Sequence, residues 1–147
     1  HRDLHSFPTR RSSDLIHDYL IHDQESYDKI WGDLEKLINT TPSHRQVLAD
    51  CDSYAGEPVL LTEFGGIALQ EQVSDGAWGY RGPARDVQEY IQRLTTIMDV
   101  IYRDPRLSGF CYTQLTDVQQ EVNGLLKPDR TPKCSLDVFY TIFSERA

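Results

Sequence analysis

Apolar positions recur along this chain with two different periods, and segments of each kind alternate. Between residues 24 and 38, Tyr27, Ile30, Trp31, Leu34, Leu37 and Ile38 stand three or four apart, which predicts one amphipathic helix over 24–38 with Pro42 beyond its end. A longer stripe follows. Val87, Tyr90, Ile91, Leu94, Ile97, Met98, Ile101 and Tyr102 keep helical spacing between Pro83 and Pro105. Leu136, Phe139, Tyr140 and Phe143 predict a last helix. Between these stripes, residues 59–62 form a continuous apolar run after Gly56 and Pro58, which suits a strand covered on both faces, and "LSGFCYTQL" from Leu107 supplies another strand. With a short apolar lead at Ile16 the order reads βαβαβα.

Strands alternating with helices of this length imply parallel pairing through right-handed crossovers, in an open doubly wound sheet or a (β/α)8 barrel. Both architectures put function at the carboxyl ends of the strands. Three such ends are legible: "IHDY" after Ile16, "TEFGG" after Leu61 and "YTQLTD" after Phe110. The loops over 64–82 and 115–132 exceed the usual ~12–15 residues of a structureless connection. They carry Trp78, Tyr80, Arg81, Asp117, Glu121 and Asn123. Aromatic faces beside amide and acid groups suit a sugar, which offers C–H groups to stack and hydroxyls to hydrogen-bond. The same composition also fits an ordinary solvated loop.

Composition narrows the partners. The 147 residues are one domain's worth of chain, and 23 acidic against 15 basic side chains argue against nucleic acid or an anionic membrane surface. No apolar run approaches the roughly 18 residues of a membrane span. Cys51, Cys111 and Cys134 are odd in number and lack CxxC spacing, so buried free thiols are expected in place of a disulfide framework or a zinc site. His17, Asp18, His22 and Asp23 resemble a ligand set on paper, but a helix-capping Asp and rim histidines account for them without a metal. "NTT" at Asn39 fits a glycosylation acceptor, a triplet common by chance. The first fifteen residues, "HRDLHSFPTRRSSDL", lack the apolar core of a signal peptide. Back-translated, they resemble a common sequencing-library adapter codon for codon. Residues 1–15 are therefore expected to be artefactual, and 16–147 to be the natural domain.

"PVLLTEFGG" at Pro58, followed by "AWGYRG" and then by "RLSGFCYTQLTDVQQEVNGLL", closely resembles the C-terminal part of the catalytic barrel of glycoside hydrolase family 2, the family of β-galactosidases and β-glucuronidases. The resemblance covers Ile16 to about Lys133. It implies an α/β fold comprising about strands 6 to 8 of a (β/α)8 TIM barrel, and a parent enzyme that hydrolyses β-linked sugars with retention. It also implies Glu63 as the catalytic nucleophile at the end of the seventh strand and Tyr19 as a residue orienting it. Trp78, Tyr112, Asp117, Glu121 and Asn123 become the candidate substrate contacts, although Tyr112 stands where several family members have Trp. The family's acid/base is a Glu preceded by Asn at the end of the fourth strand, and no such pair occurs here; the fragment alone is then expected to be inactive and to aggregate. No cofactor is implied for this stretch. A structural or activating Mg or Na ion and a homo-oligomeric state in the full-length parent stay open, as does a cytoplasmic, periplasmic or secreted location. The competing reading is a non-catalytic α/β module that binds carbohydrate or protein.

Sequencing the source DNA across the codon for Ile16 separates the two. The expected result is a frame that continues upstream into further strands and an Asn-Glu pair. A genomic frame that truly begins with His1 to Leu15 leaves only the small binding module.

Overall fold

The computed structural model describes residues 14–38, 47, 53–73 and 76–144. Asn39, Pro42 and Cys51 and nearly all of the 1–15 segment lie outside the described residues. Three strands form one parallel sheet in the order β1 (Asp14–Asp18), β2 (Val59–Gly65) and β3 (Leu107–Thr113). Among the described residues four α-helices accompany them: α1 (Gln24–Trp31), α2 (Leu34–Ile38), α3 (Val87–Arg103) and α4 (Leu136–Phe143). Each strand is followed by helix, so parallel neighbours are joined by crossovers, and the chain is an α/β unit. No helix among the described residues is long and apolar enough to cross a membrane.

The long stripe over 87–102 becomes α3, started by Asp86, whose side chain accepts the Glu89 N–H at 2.8 Å. The expected single helix over 24–38 is instead two. Asp33 begins a new one: its carboxylate accepts the Lys36 N–H at 3.0 Å and its carbonyl the Leu37 N–H at 2.9 Å. Gly32 permits the break, because an added Cβ would come within 2.4 Å of the Asp28 carbonyl oxygen. The apolar spacing survives such a break, which is why periodicity alone joined the two segments.

One face of the sheet is the core. Ile16, Val59, Leu61 and Phe64 meet Tyr90, Leu94, Ile97, Met98 and Ile101 of α3, and Phe139 and Ile142 of α4 complete the cluster. Polar pins fasten helices to strand ends within it. Trp31 Nε1 donates to Asp18 Oδ2 at 2.8 Å, and the Tyr27 hydroxyl donates to Asp104 Oδ2 at 2.6 Å. Arg106 chelates the same Asp104 and reaches the Trp31 carbonyl. Burial alone would raise the Asp104 pKa, but the hydrogen bonds from Arg106 and Tyr27 prevail and hold it below its ordinary 3.8. Its share of stability is therefore present above that value and lost as pH falls through the depressed one.

The expectation of two-sided burial is met on one side only. Leu60, Thr62 and Glu63 of the central strand are half-exposed, and Ser108 and Cys111 of β3 are exposed. Cys111 thus departs from the expected buried thiol because it sits on this open face. Cys134 is half-buried, and burial pushes its thiol up to about 11.

The isolated chain is expected to sediment as an aggregate, since Leu60 is half-exposed on the open face and β1 and β3 each have an edge without a strand partner among the described residues. Leu60→Thr should raise the fraction left in the supernatant. Leu94→Ala, which empties a fully buried site at a cost of about 2–5 kcal/mol, should lower it. A Leu60→Thr chain no more soluble than the parent would mean that the open face does not drive association.

Candidate functional site

Side chains alternate along a strand, so Glu63, two residues beyond the buried Leu61, should point under the helices. It does not. Both ladders change register at this point: Ile16 pairs with Leu61 but His17 with Glu63, and Leu61 pairs with Phe110 but Phe64 with Tyr112. Thr62 is the extra residue of a bulge, and its hydroxyl donates to the Ile16 carbonyl at 3.2 Å. The parity of β2 is thereby reversed. Phe64 enters the core, and Glu63 emerges on the open face near the carboxyl end of the central strand, with 41% of its side chain exposed.

Two neighbours from β1 and the turn after it hold that carboxylate. The Tyr19 hydroxyl donates to Glu63 Oε2 at 2.8 Å, and His17 Nδ1 lies 3.2 Å from the same oxygen. Burial, reinforced by Tyr80 and Glu63 against a hydrogen bond with Thr113, raises the Tyr19 pKa well above 10.0, so the hydroxyl remains a donor at any working pH. The sequence anticipated the Tyr19 contact with Glu63 and gave His17 only as a rim histidine. The signal for His17 was its register opposite Glu63, which becomes readable only once the bulge is known.

The segment Trp78–Arg81 crosses above the strand ends. Tyr80 stacks on Tyr19 with ring centroids 3.6 Å apart and planes within 11°, and Trp78 meets Tyr80 edge-on at 5.2 Å. Trp78 and Tyr80 stay 45% and 41% exposed. Arg81 Nε donates to the Tyr19 carbonyl at 3.1 Å, and its Nη2 reaches the Leu20 carbonyl. Trp78 also pairs through its backbone with the next loop, giving its N–H to Gln120 at 2.8 Å and accepting from Val122 at 3.1 Å. Gly65 and Gly66 make room beneath. Both have positive φ (88° and 68°), and a Cβ on either would collide with the rings of Tyr112 and Tyr80 respectively.

The remaining expected contacts are held by other partners. Tyr112 packs edge-on against Phe64 and Phe143 on the helix side of the sheet, so its ring is not a platform on the open face. The structure buries Asp117 and Asn123 inside the loop that follows β3. Asp117 Oδ1 accepts from the Gly124 N–H at 2.7 Å and from Lys133 Nζ at 2.9 Å, in an ion pair with no exposed side-chain surface on either partner. Lys133 also donates to the Val122 carbonyl at 2.8 Å, and burial pushes its ammonium pKa down against the Asp117 hydrogen bond. Asn123 donates to Glu121 Oε1 at 3.1 Å, and Glu121 lies in a bridge beside Trp78. Of the set Trp78, Tyr112, Asp117, Glu121 and Asn123, only Trp78 and Glu121 reach the rim near the aromatic segment. Elsewhere, Asp18 receives the Trp31 indole and Asp23 caps α1. No group of three or more His, Cys, Asp or Glu among the described residues is arranged to hold a metal ion.

No family model matches this chain, and none of the curated proteins matches it. Solved structures do. A GH2 β-galacturonidase from Eisenbergiella tayi bound to galacturonate aligns with a TM-score of 0.52 at 18% identity over 88% of this chain. A GH2 β-galacturonidase from the same organism bound to glycerol aligns at 0.51 and 17% identity over 86%. At such identity the likeness is one of fold: the chain is built like part of a GH2 enzyme. It spans only 22% of the length of either protein.

Removing one partner of the Lys133–Asp117 pair should be costly, because the other is left charged and buried. Lys133→Met is expected to destabilise by about 3–5 kcal/mol. Lys133→Met with Asp117→Leu should recover part of that, the Gly124 N–H remaining unpaired. Hydrogen exchange of the loop over 114–126 checks both.

Proposed function

We propose that residues 16–147 are the C-terminal part, about strands six to eight, of the (β/α)8 catalytic barrel of a retaining glycoside hydrolase, acting on β-linked sugars in the manner of a β-galactosidase. Glu63 is its nucleophile. One observation carries the reading: a half-exposed carboxylate, turned out of the core by a bulge, stands at the carboxyl end of the central parallel strand with a tyrosine hydroxyl fixed on one oxygen. The GH2-like fold supports it, and so does the exposed Trp78 ring, the remaining platform for a sugar face.

The chemistry follows from the donors. Tyr19 and His17 both address Oε2, which leaves Oε1 to form the bond to the anomeric carbon as the glycosidic C–O bond breaks. A second carboxyl about 5 Å away, from outside this chain, gives its proton to the leaving oxygen. It then takes a proton from water, whose oxygen bonds to the anomeric carbon and releases Glu63 with retained configuration. Tyr19 orients the carboxylate and stabilises its charge whenever the glycosyl bond is broken. Asp117 and Asn123 hold the loop carrying Glu121 and act on substrate only through it.

The test uses the complete gene product containing these residues, with aryl β-galactosides, β-glucuronides and β-galacturonides as substrates. A 2-deoxy-2-fluoro glycosyl fluoride, whose leaving group needs no acid, should trap a covalent adduct on the peptide bearing Glu63. Glu63→Gln should abolish trapping and lower turnover by roughly four orders of magnitude or more, the scale on which nucleophile removal acts. If Glu63→Gln retains both turnover and labelling, Glu63 is not the nucleophile. If no glycoside is turned over but sugars still bind and protect Trp78 from quenching, the chain belongs to a binding module.

A further inference from the structure

We infer that Tyr80 and Arg81 are positioning residues for Glu63, acting through Tyr19 as a two-sided clamp. This rests on the glycosidase reading for its catalytic consequence but on geometry alone for the clamp. A tyrosine on a turn has two freedoms that would loosen its hydroxyl: rotation of the ring and drift of the backbone. Each is opposed by a different residue of one short segment. The Tyr80 ring lies flat on the Tyr19 ring, 3.6 Å between centroids, which blocks the rotation. Arg81 grips the carbonyls of Tyr19 and Leu20 with two nitrogens of its planar guanidinium, which blocks the drift.

The clamp is itself fixed from below and from the side. Gly66 gives the Tyr80 ring its seat, since a Cβ there would lie 2.5 Å from Tyr80 Cδ2. Gly79, between Trp78 and Tyr80, presses against Ala68 and Asn123, where a Cβ would find both within 3.0 Å. Trp78 fastens the segment to Gln120 and Val122 by two backbone hydrogen bonds. The loops after all three strands therefore converge on the placement of one hydroxyl, which sits 2.8 Å from the carboxylate. None of these contacts needs Tyr80 or Arg81 to touch substrate.

A clamp makes a prediction that simple stabilisation does not. Loosening Tyr19 takes from Glu63 the hydroxyl that orients it, so kcat should fall while KM holds. In the complete gene product, Tyr80→Leu is expected to lower kcat about tenfold or more with KM little changed. Arg81→Met should act in the same direction, while Tyr80→Phe, which keeps the stacked ring and loses only the hydroxyl beside Tyr19, should recover most of the kcat lost in Tyr80→Leu. Tyr80→Leu should add nothing to Tyr19→Phe, since both remove one interaction.

A second readout needs no turnover. In protein labelled with 13C at tyrosine Cζ, the Tyr19 resonance should respond to Glu63→Gln in the wild-type background and cease to respond in Tyr80→Leu. Persistence of that response, or additivity of Tyr80→Leu with Tyr19→Phe, overturns the clamp. Failure of the glycosidase reading is recognised separately, by Glu63→Gln leaving turnover intact.

Discussion

A single inserted residue in the central strand organises this site. Without the bulge at Thr62, period-two alternation would keep Glu63 on the face of Leu61, among the side chains of α3, where an ionised carboxylate is costly. Phe64 would be turned toward the open face. The bulge exchanges the two, giving the core an aromatic ring and the open face an acid. It also places His17 opposite Glu63, so the neighbouring strand contributes a polar group where it would otherwise have met a threonine.

The polar contacts of the core carry a division of labour. Asp18 with Trp31, and Asp104 with Tyr27 and Arg106, tie helices to the ends of β1 and to the start of β3. Removing such groups leaves a buried partner unsatisfied, so they specify where α1 lies more than they add net stability. Lys133 and Asp117 do the same for the loop after β3, as an ion pair with no exposed side-chain surface on either partner. The site joins strand-borne Glu63 and His17 to side chains from the loops, and the loop after β3 has its own internal anchor. Glu63 and Tyr19 are accordingly held by elements that are themselves held.

Much of the fold was legible because it depends on period. The stripe from Val87 to Tyr102 appears as α3, and the apolar runs at Val59 and Leu107 appear as parallel strands. What escaped the sequence was local geometry. The break at Gly32 and Asp33 preserves apolar spacing, so it left no trace in the pattern. Tyr112 has the same residue type whether it stacks on a ligand or packs edge-on against Phe143, and only the side of the sheet decides. Asp117 and Asn123 look like binding groups in any loop, and their burial comes from Lys133 and Gly79, residues with no motif of their own. The contact between Tyr19 and Glu63 could be anticipated because short-range motif and strand end coincide. His17, Tyr80 and Arg81 act through register and stacking, which a single sequence does not display.

The backbone ladder between Trp78 and the stretch from Gln120 to Val122 has a consequence for how such a protein can vary. Two loops that share hydrogen bonds cannot be exchanged one at a time. An insertion in either shifts the other's register and, through Tyr80, the aromatic wall beside the acid. Diversification of this region should proceed by co-inherited pairs of loops, transplanted as one cassette. A recombination crossover placed between Arg81 and Gln120 would separate the halves of that cassette, whereas crossovers before Gly66 or after Lys133 would keep it whole.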